Sequence, residues 1–225
     1  MNGPVQRLQQ ITRQLAESAR ASGRAPGSVA LLAVSKRQSV DDIRMLAGAG
    51  QRAFGENYLQ EALPKREALA DLGLEWHFIG RIQRNKTRDI AACFDWVHTI
   101  DRLEVAERLA RQRPVGRGML QCLIEVNVSG EASKGGVAPA ALPALAAAVR
   151  SLPNLALRGL MALPAPEDDA TLQRAAFRRV RVALEALGDP ALDTLSMGTS
   201  ADFAAAIAEG STMVRIGTAL FGARE

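Results

Sequence analysis

Val29-Ala30-Leu31-Leu32-Ala33-Val34-Ser35-Lys36 is a short apolar run that ends by delivering a hydroxyl and a primary amine. So uniform a run fits a strand buried on both faces, as in a parallel sheet covered by helices. Runs of the same kind recur at 52–54, 75–79, 96–99, 120–128, 156–161, 194–197 and 213–216. Between them lie segments of helical periodicity, among them 40–49, 58–70, 102–111, 139–149, 171–187 and 201–208. Eight strand candidates alternating with helices predict an α/β fold, a single (β/α)8 TIM barrel over residues 1–225. A doubly wound open sheet is the alternative. From Pro4 to Ala21, Val5, Leu8, Ile11, Leu15 and Ala19 add an extra N-terminal helix, which Gly23-Arg24-Ala25-Pro26-Gly27 ends.

Composition excludes several classes. Hydrophobic residues make up 48% of 225, enough for a large core, while aromatics are only 4%. The net charge of +4 is spread along the chain, with no Lys/Arg block interleaved with aromatics, so no nucleic-acid partner is expected. No apolar run reaches the roughly 18 residues of a membrane span. The N-terminal segment mixes Arg, Gln and Glu, unlike a secretory signal. A cytoplasmic protein is expected. Cys93 and Cys122 lack metal-ligand spacing and read as small core residues, so no metal is expected.

In a barrel of this kind the chemistry lies at the C-terminal ends of the strands. Lys36 sits at such an end. Burial there would favour the neutral amine, the form that attacks aldehydes. Of the 28 basic residues only Lys36, Lys65, Lys86 and Lys134 are lysines, and guanidinium forms no comparable imine. Taken alone, a solvated lysine just past a strand explains the position equally well. Farther on, Leu195-Ser196-Met197-Gly198-Thr199-Ser200 leads from the seventh strand into a helix expected from 201. Its hydroxyls and free backbone N–H groups suit an anion. Val214-Arg215-Ile216-Gly217-Thr218 ends the eighth strand on a glycine that lets backbone approach a ligand. Capping and an ordinary turn explain either piece by itself; together with Arg215 they read as a phosphate cup. An imine-forming lysine facing a phosphate cup describes a pocket for pyridoxal 5′-phosphate.

Ordered blocks along the chain carry a family resemblance. They are Leu31-Leu32-Ala33-Val34-Ser35-Lys36, Phe54-Gly55-Glu56-Asn57-Tyr58, Trp76-His77-Phe78-Ile79-Gly80 and Gln83-Arg84-Asn85-Lys86. Val126-Asn127-Val128-Ser129-Gly130-Glu131-Ala132-Ser133-Lys134-Gly135-Gly136, Gly159-Leu160-Met161 and Ser211-Thr212-Met213-Val214-Arg215-Ile216-Gly217-Thr218 follow. With these the chain resembles the YggS/PROSC family of pyridoxal phosphate homeostasis proteins, whose fold is that of the alanine racemase N-terminal barrel. The resemblance implies a Schiff base on Lys36. It implies a phosphate held by Ser200 and the backbone N–H groups of Gly217 and Thr218, with Arg215 facing the pyridine nitrogen and Asn57 lining the pocket. Met161 is either pocket lining or core. His77 is either pocket lining or a structural histidine, and His98 reads as structural. Thr199 adds a hydroxyl to the phosphate site. Gly135-Gly136 departs from the family's usual wording and is expected to loosen the loop carrying Lys134. Lys134 and Lys86 are candidates for a second, non-covalent site.

Three functions are then open: a non-catalytic carrier that buffers the aldehyde and hands it to apo-enzymes, a weak amino-acid racemase, and an interaction protein. Racemisation needs two acid/base groups flanking the substrate carbon. In the racemases the second is a Tyr of another domain, whereas this chain stops at Glu225 and its one tyrosine is Tyr58. The carrier, as a monomer, is the expectation.

Overall fold

In the computed structural model, which describes residues 3–130 and 135–222, eight strands alternate with helices. The strands are β1 (Ala30–Val34), β2 (Ala53–Glu56), β3 (Glu75–Phe78), β4 (Trp96–Ile100), β5 (Leu120–Glu125), β6 (Leu155–Met161), β7 (Thr194–Ser196) and β8 (Met213–Ile216). Each pairs in parallel with the next, and β1 closes on β8 through Ala30↔Met213 and Leu32↔Arg215. That closure removes the open-sheet alternative.

Around the barrel lie α1 (Pro4–Ala21), α2 (Val40–Gly48), α3 (Leu59–Ala68), α4 (Thr87–Cys93), α5 (Leu103–Gln112), α6 (Leu142–Arg150), α7 (Ala170–Ala186), α8 (Phe203–Ala208) and α9 (Thr218–Phe221). Local chemistry sets their starts. Ser39 caps α2 by accepting from the Asp42 N–H, and Asp169 caps α7 by accepting from Thr171 and Leu172. Leu8, Ile11, Leu15 and Ala19 form the buried stripe of α1. Arg7 ties that helix to the end of the chain by donating to the carbonyls of Leu220 at 2.7 Å and Phe221 at 2.6 Å. No helix among the described residues is long and apolar enough to cross a membrane.

Three segments differ from the sequence expectation. α4 covers only seven residues, too few for a periodic stripe to stand out. The strand expected over 120–128 stops at Glu125, because the chain turns back and Val126 pairs with Val137 in an isolated bridge. The turn-back requires Gly136, at φ 105°, where a Cβ would lie 2.8 Å from the Asn127 backbone nitrogen. Gly136 thus serves a close approach of backbone to backbone, and the expected loosening of the loop at Lys134 falls on residues outside those described. The third difference, the start of α8, bears on the site.

Strand alternation sorts side chains between two cores. Ile124, Leu160, Leu195 and Val214 belong to the large cluster shared with the helices. The alternate positions face the barrel interior, where Trp96, Leu123 and Met161 form a separate small cluster. Buried among the strands with them are His77, His98, Ser196 and Arg215. Barrel interiors are usually filled by branched aliphatic residues, so this polar filling marks the lumen as functional.

Candidate cofactor-binding site

A cavity of about 390 Å³ opens at the C-terminal ends of the strands. Lys36 just past β1, Asn57 just past β2, Glu125 of β5 and Met161 of β6 line it. Thr199 and Ser200 after β7, with Arg215, Gly217 and Thr218 of β8 and its sequel, complete the polar wall.

Lys36 is half-buried, less than the apolar strand before it suggests. Its backbone is held through the preceding residue. Ser35 donates its N–H to Gly55 O at 3.0 Å and its hydroxyl to Glu56 Oε1 at 2.6 Å. The Ser35 carbonyl accepts from Lys65 Nζ at 2.8 Å and from the Gln38 N–H at 3.0 Å. Arg37 then takes a left-handed φ of 61° and donates its N–H to Glu61. A strand end fixed by this many bonds presents the Lys36 amine from a rigid base. Burial pushes the Glu56 carboxyl above its ordinary range, and the Ser35 hydroxyl and Lys65 ammonium pull it back.

Asn57 Oδ1 is buried and has no hydrogen-bond partner among the described residues. A buried acceptor left unmet is costly unless a ligand meets it. On the opposite wall, α8 begins at Phe203 and not at 201, so Ser200 does not sit in a helical first turn. Thr199 is committed to Asp202, whose Oδ1 accepts both the Thr199 N–H at 2.6 Å and its hydroxyl at 2.9 Å. The resulting turn closes over Gly198, at φ 96°, where a Cβ would fall 2.7 Å from Ala206 Cβ. Ser200 and Thr218 are left exposed to the cavity mouth. Thr218 opens the single turn of α9, whose first N–H groups have no intrahelical acceptor.

Arg215 is almost fully buried. Its Nη1 donates to the Ser196 carbonyl at 2.5 Å and the Ser196 hydroxyl at 2.9 Å, and its Nη2 to the Ala162 carbonyl at 2.9 Å. These use three of its five donors. Burial lowers its pKa to about 10, which keeps it a cation at neutral pH. Glu125 was not singled out in the sequence. It too ends a buried apolar strand, the same signal that marks Lys36. Burial pushes its carboxyl upward, Asp101 adds to the shift, and Arg215 and Arg81 oppose it.

Other sequence candidates fall elsewhere. Met161 lines the cavity and also belongs to the small interior cluster. His77 is fully buried and is not among the lining residues; it stacks on Trp96 with ring centroids 5.3 Å apart. His98 is likewise fully buried. Lys86 ends a 3-10 turn, Arg84–Lys86, away from the cavity lining. Lys134 lies outside the described residues. Tyr58 precedes α3, is 46% exposed and does not line the cavity. Cys122 is buried with its thiol pushed up to about 12, so it is not a nucleophile.

Comparison with known proteins gives the family of this fold. Residues 7–225 match the family model described as alanine racemase, N-terminal domain. A pyridoxal phosphate homeostasis protein of Pseudomonas aeruginosa is 56% identical over 225 residues, covering 100% of this chain and 97% of its own length. The protein of that name from Escherichia coli K12 is 50% identical over 230 residues, covering 100% and 98%. A solved structure of PipY from Synechococcus elongatus PCC7942, with PLP bound, superposes with a TM-score of 0.82 at 38% identity, covering 92% of this chain and 100% of that one. A closed barrel with this cavity, matched along its whole length, belongs to the family of pyridoxal phosphate homeostasis proteins, built on the alanine racemase N-terminal barrel.

Proposed function

We propose that the cavity holds pyridoxal 5′-phosphate through a Schiff base to Lys36, and that the protein keeps the cofactor in reserve for apo-enzymes. One observation carries the reading: Lys36 lines one cavity with Ser200, Gly217 and Thr218. Asn57 lines the same cavity with its side-chain oxygen unmet, and the amide turned over presents its N–H donors to the ring oxygen of the cofactor. A relative 38% identical has been solved with PLP bound, which supports extending PLP binding to this chain.

Bound there, pyridoxal phosphate supplies an aldehyde that condenses reversibly with a primary amine, releasing one water. The chain's own residues do the rest. Lys36 provides the amine from its braced turn. Ser200 and the N–H groups of Gly217 and Thr218 bind the phosphate, while Thr199 holds the loop in shape through Asp202. Arg215, fixed on two carbonyls and a hydroxyl, presents a cation to the ring nitrogen, which disfavours protonation there and weakens the ring as an electron sink. A reversible tether beside a weak electron sink suits storage better than turnover. On this reading the protein works in the cytoplasm as a monomer.

A weak amino-acid racemase is the second reading, and Glu125 is the observation that favours it. A carboxyl with a raised pKa that shares the cavity with Lys36 is a candidate second proton carrier. The carrier reading predicts no appreciable racemisation of alanine by the purified holo-protein. It also predicts that holo-protein activates an apo pyridoxal-phosphate enzyme while a scavenger removes free cofactor. Racemisation lost on Lys36→Ala, with no activation of the apo-enzyme, would favour the second reading instead.

A further inference from the structure

A chain of hydrogen bonds crosses the barrel interior beneath the cavity. Arg215 Nη1 lies 2.9 Å from Ser196 Oγ, and Ser196 Oγ lies 3.1 Å from His98 Nδ1. His98 Nε2 is 2.9 Å from His77 Nδ1, and His77 Nε2 is 2.7 Å from Glu75 Oε1. Ser196, His98 and His77 are completely buried, whereas the Glu75 side chain is 48% exposed at the N-terminal end of β3. The chain therefore runs from the cofactor cavity to the opposite mouth of the barrel.

The end groups decide its direction. Guanidinium can only donate, an ionised carboxylate can only accept, and a neutral imidazole does one of each. Arg215 then donates to Ser196, whose hydroxyl donates to His98 Nδ1. His98 Nε2–H donates to His77 Nδ1, and His77 Nε2–H donates to Glu75. Every group is matched. The reverse order would make Ser196 Oγ accept from both Arg215 and His98 and strand its own proton. Surrounding charges agree with this assignment. Burial lowers the pKa of both histidines, more strongly for His98, where His77 and Arg215 add to the effect. The hydrogen bond from His77 holds Glu75 below the usual carboxyl range. Asp95 opposes the shift of His77, and Arg158 faces Trp96, the ring stacked on His77.

Among the described residues no carboxylate lies within ion-pair distance of Arg215. We propose that Glu75, His77, His98 and Ser196 are positioning residues, a polarised relay that holds the Arg215 guanidinium by oriented donors and acceptors instead of by an adjacent carboxylate. A neighbouring carboxylate would offset the cation locally. The relay holds Arg215 in place without a direct carboxylate partner, so its charge faces the cavity and is offset there only through space by Asp202 and Glu125, while the relay's own carboxylate stands at the far mouth. The inference rests on the reading that Arg215 faces the ring of a bound cofactor.

Two measurements on the full-length holo-protein test it. Nitrogen-detected histidine NMR is expected to find both His77 and His98 neutral and protonated at Nε2 at neutral pH. An Nδ1–H tautomer or an imidazolium at either position would overturn the assignment. His98→Leu is expected to shift the visible Schiff-base band and speed cofactor release into a scavenger about tenfold, the equivalent of one hydrogen bond to a charged group. His98→Gln, whose amide both accepts and donates, is expected to restore most of both. A folded His98→Leu protein with wild-type band and release rate would overturn the relay. Should His98→Leu not fold, Glu75→Ala at the exposed end decides, with a smaller change in the same direction expected and no change contradicting the proposal. A wild-type protein that stays colourless with pyridoxal phosphate would sink the Lys36 reading alone, since the tautomers are still read.

Discussion

Lys36→Ala is expected to abolish covalent capture of pyridoxal phosphate completely. The substitution removes the one lysine among the described residues that lines the cavity and leaves the opposite wall intact. Ser200, Gly217, Thr218 and Arg215 would still attract the phosphate and ring, so weak non-covalent binding persists without the Schiff-base band. Lys36→Arg separates charge from chemistry. It keeps the cation but cannot form an imine, and it is expected to be as colourless as the alanine variant. The bonds that shape the turn at Lys36 are made by Ser35, Arg37, Gln38, Glu61 and Lys65, which both variants keep. Visible absorbance of the two variants after incubation with pyridoxal phosphate checks the loss.

Lys65→Leu is expected to give the largest loss of stability, about 3–5 kcal/mol, the usual cost of removing one partner from a buried ion pair. Lys65 Nζ lies 2.9 Å from Glu56 Oε1, and both residues are buried. The second carboxylate oxygen of Glu56 already has no partner among the described residues, so the variant would leave a buried charge with the Ser35 hydroxyl as its main support. Pairing Lys65→Leu with Glu56→Leu should recover much of the loss, because no charge is then stranded. The pH dependence has a definite sign. A carboxyl whose folded pKa lies above its unfolded value, near 4.3, favours the fold when protonated and costs stability as pH rises through the folded pKa. Loss of Lys65 raises the Glu56 pKa further. The deficit of Lys65→Leu against wild type should therefore be largest at neutral pH and shrink on acidification toward the unfolded value. Denaturant melts across that range read it directly. The Ser35 carbonyl also loses its Lys65 donor, so weaker cofactor retention is expected to accompany the instability.

How much could be read before the fold was known depends on the kind of signal. β8 and α1 match their sequence ranges because an apolar run and a helical stripe are local patterns. α4 escaped for the opposite reason, since seven residues show less than two turns of periodicity. The end of β5 and the start of α8 depended on contacts made elsewhere: Val137 folding back on Val126, and Asp202 gathering the loop at Thr199. In the site, Lys36 stood out as an amine at the end of a buried strand, and Arg215 through its place beside Gly217 in the expected phosphate cup. Glu125 carried the same signal and was passed over because no motif drew attention to it. The bonds between His77, His98, Ser196 and Arg215 could not be read, because they join β3, β4, β7 and β8 and depend on register and on which face each residue takes. The pairing of Lys65 with Glu56 was hidden similarly, since it requires α3 to fold back over β2.

The central claim is that one lysine of four holds the cofactor, and borohydride reduction followed by peptide mass analysis tests it most directly. Reduction of protein incubated with pyridoxal phosphate should bleach the Schiff-base band and fix the cofactor mass on the peptide containing Lys36. A fixed mass on Lys65, Lys86 or Lys134 with Lys36 unmodified, or no fixed mass at all, would contradict it.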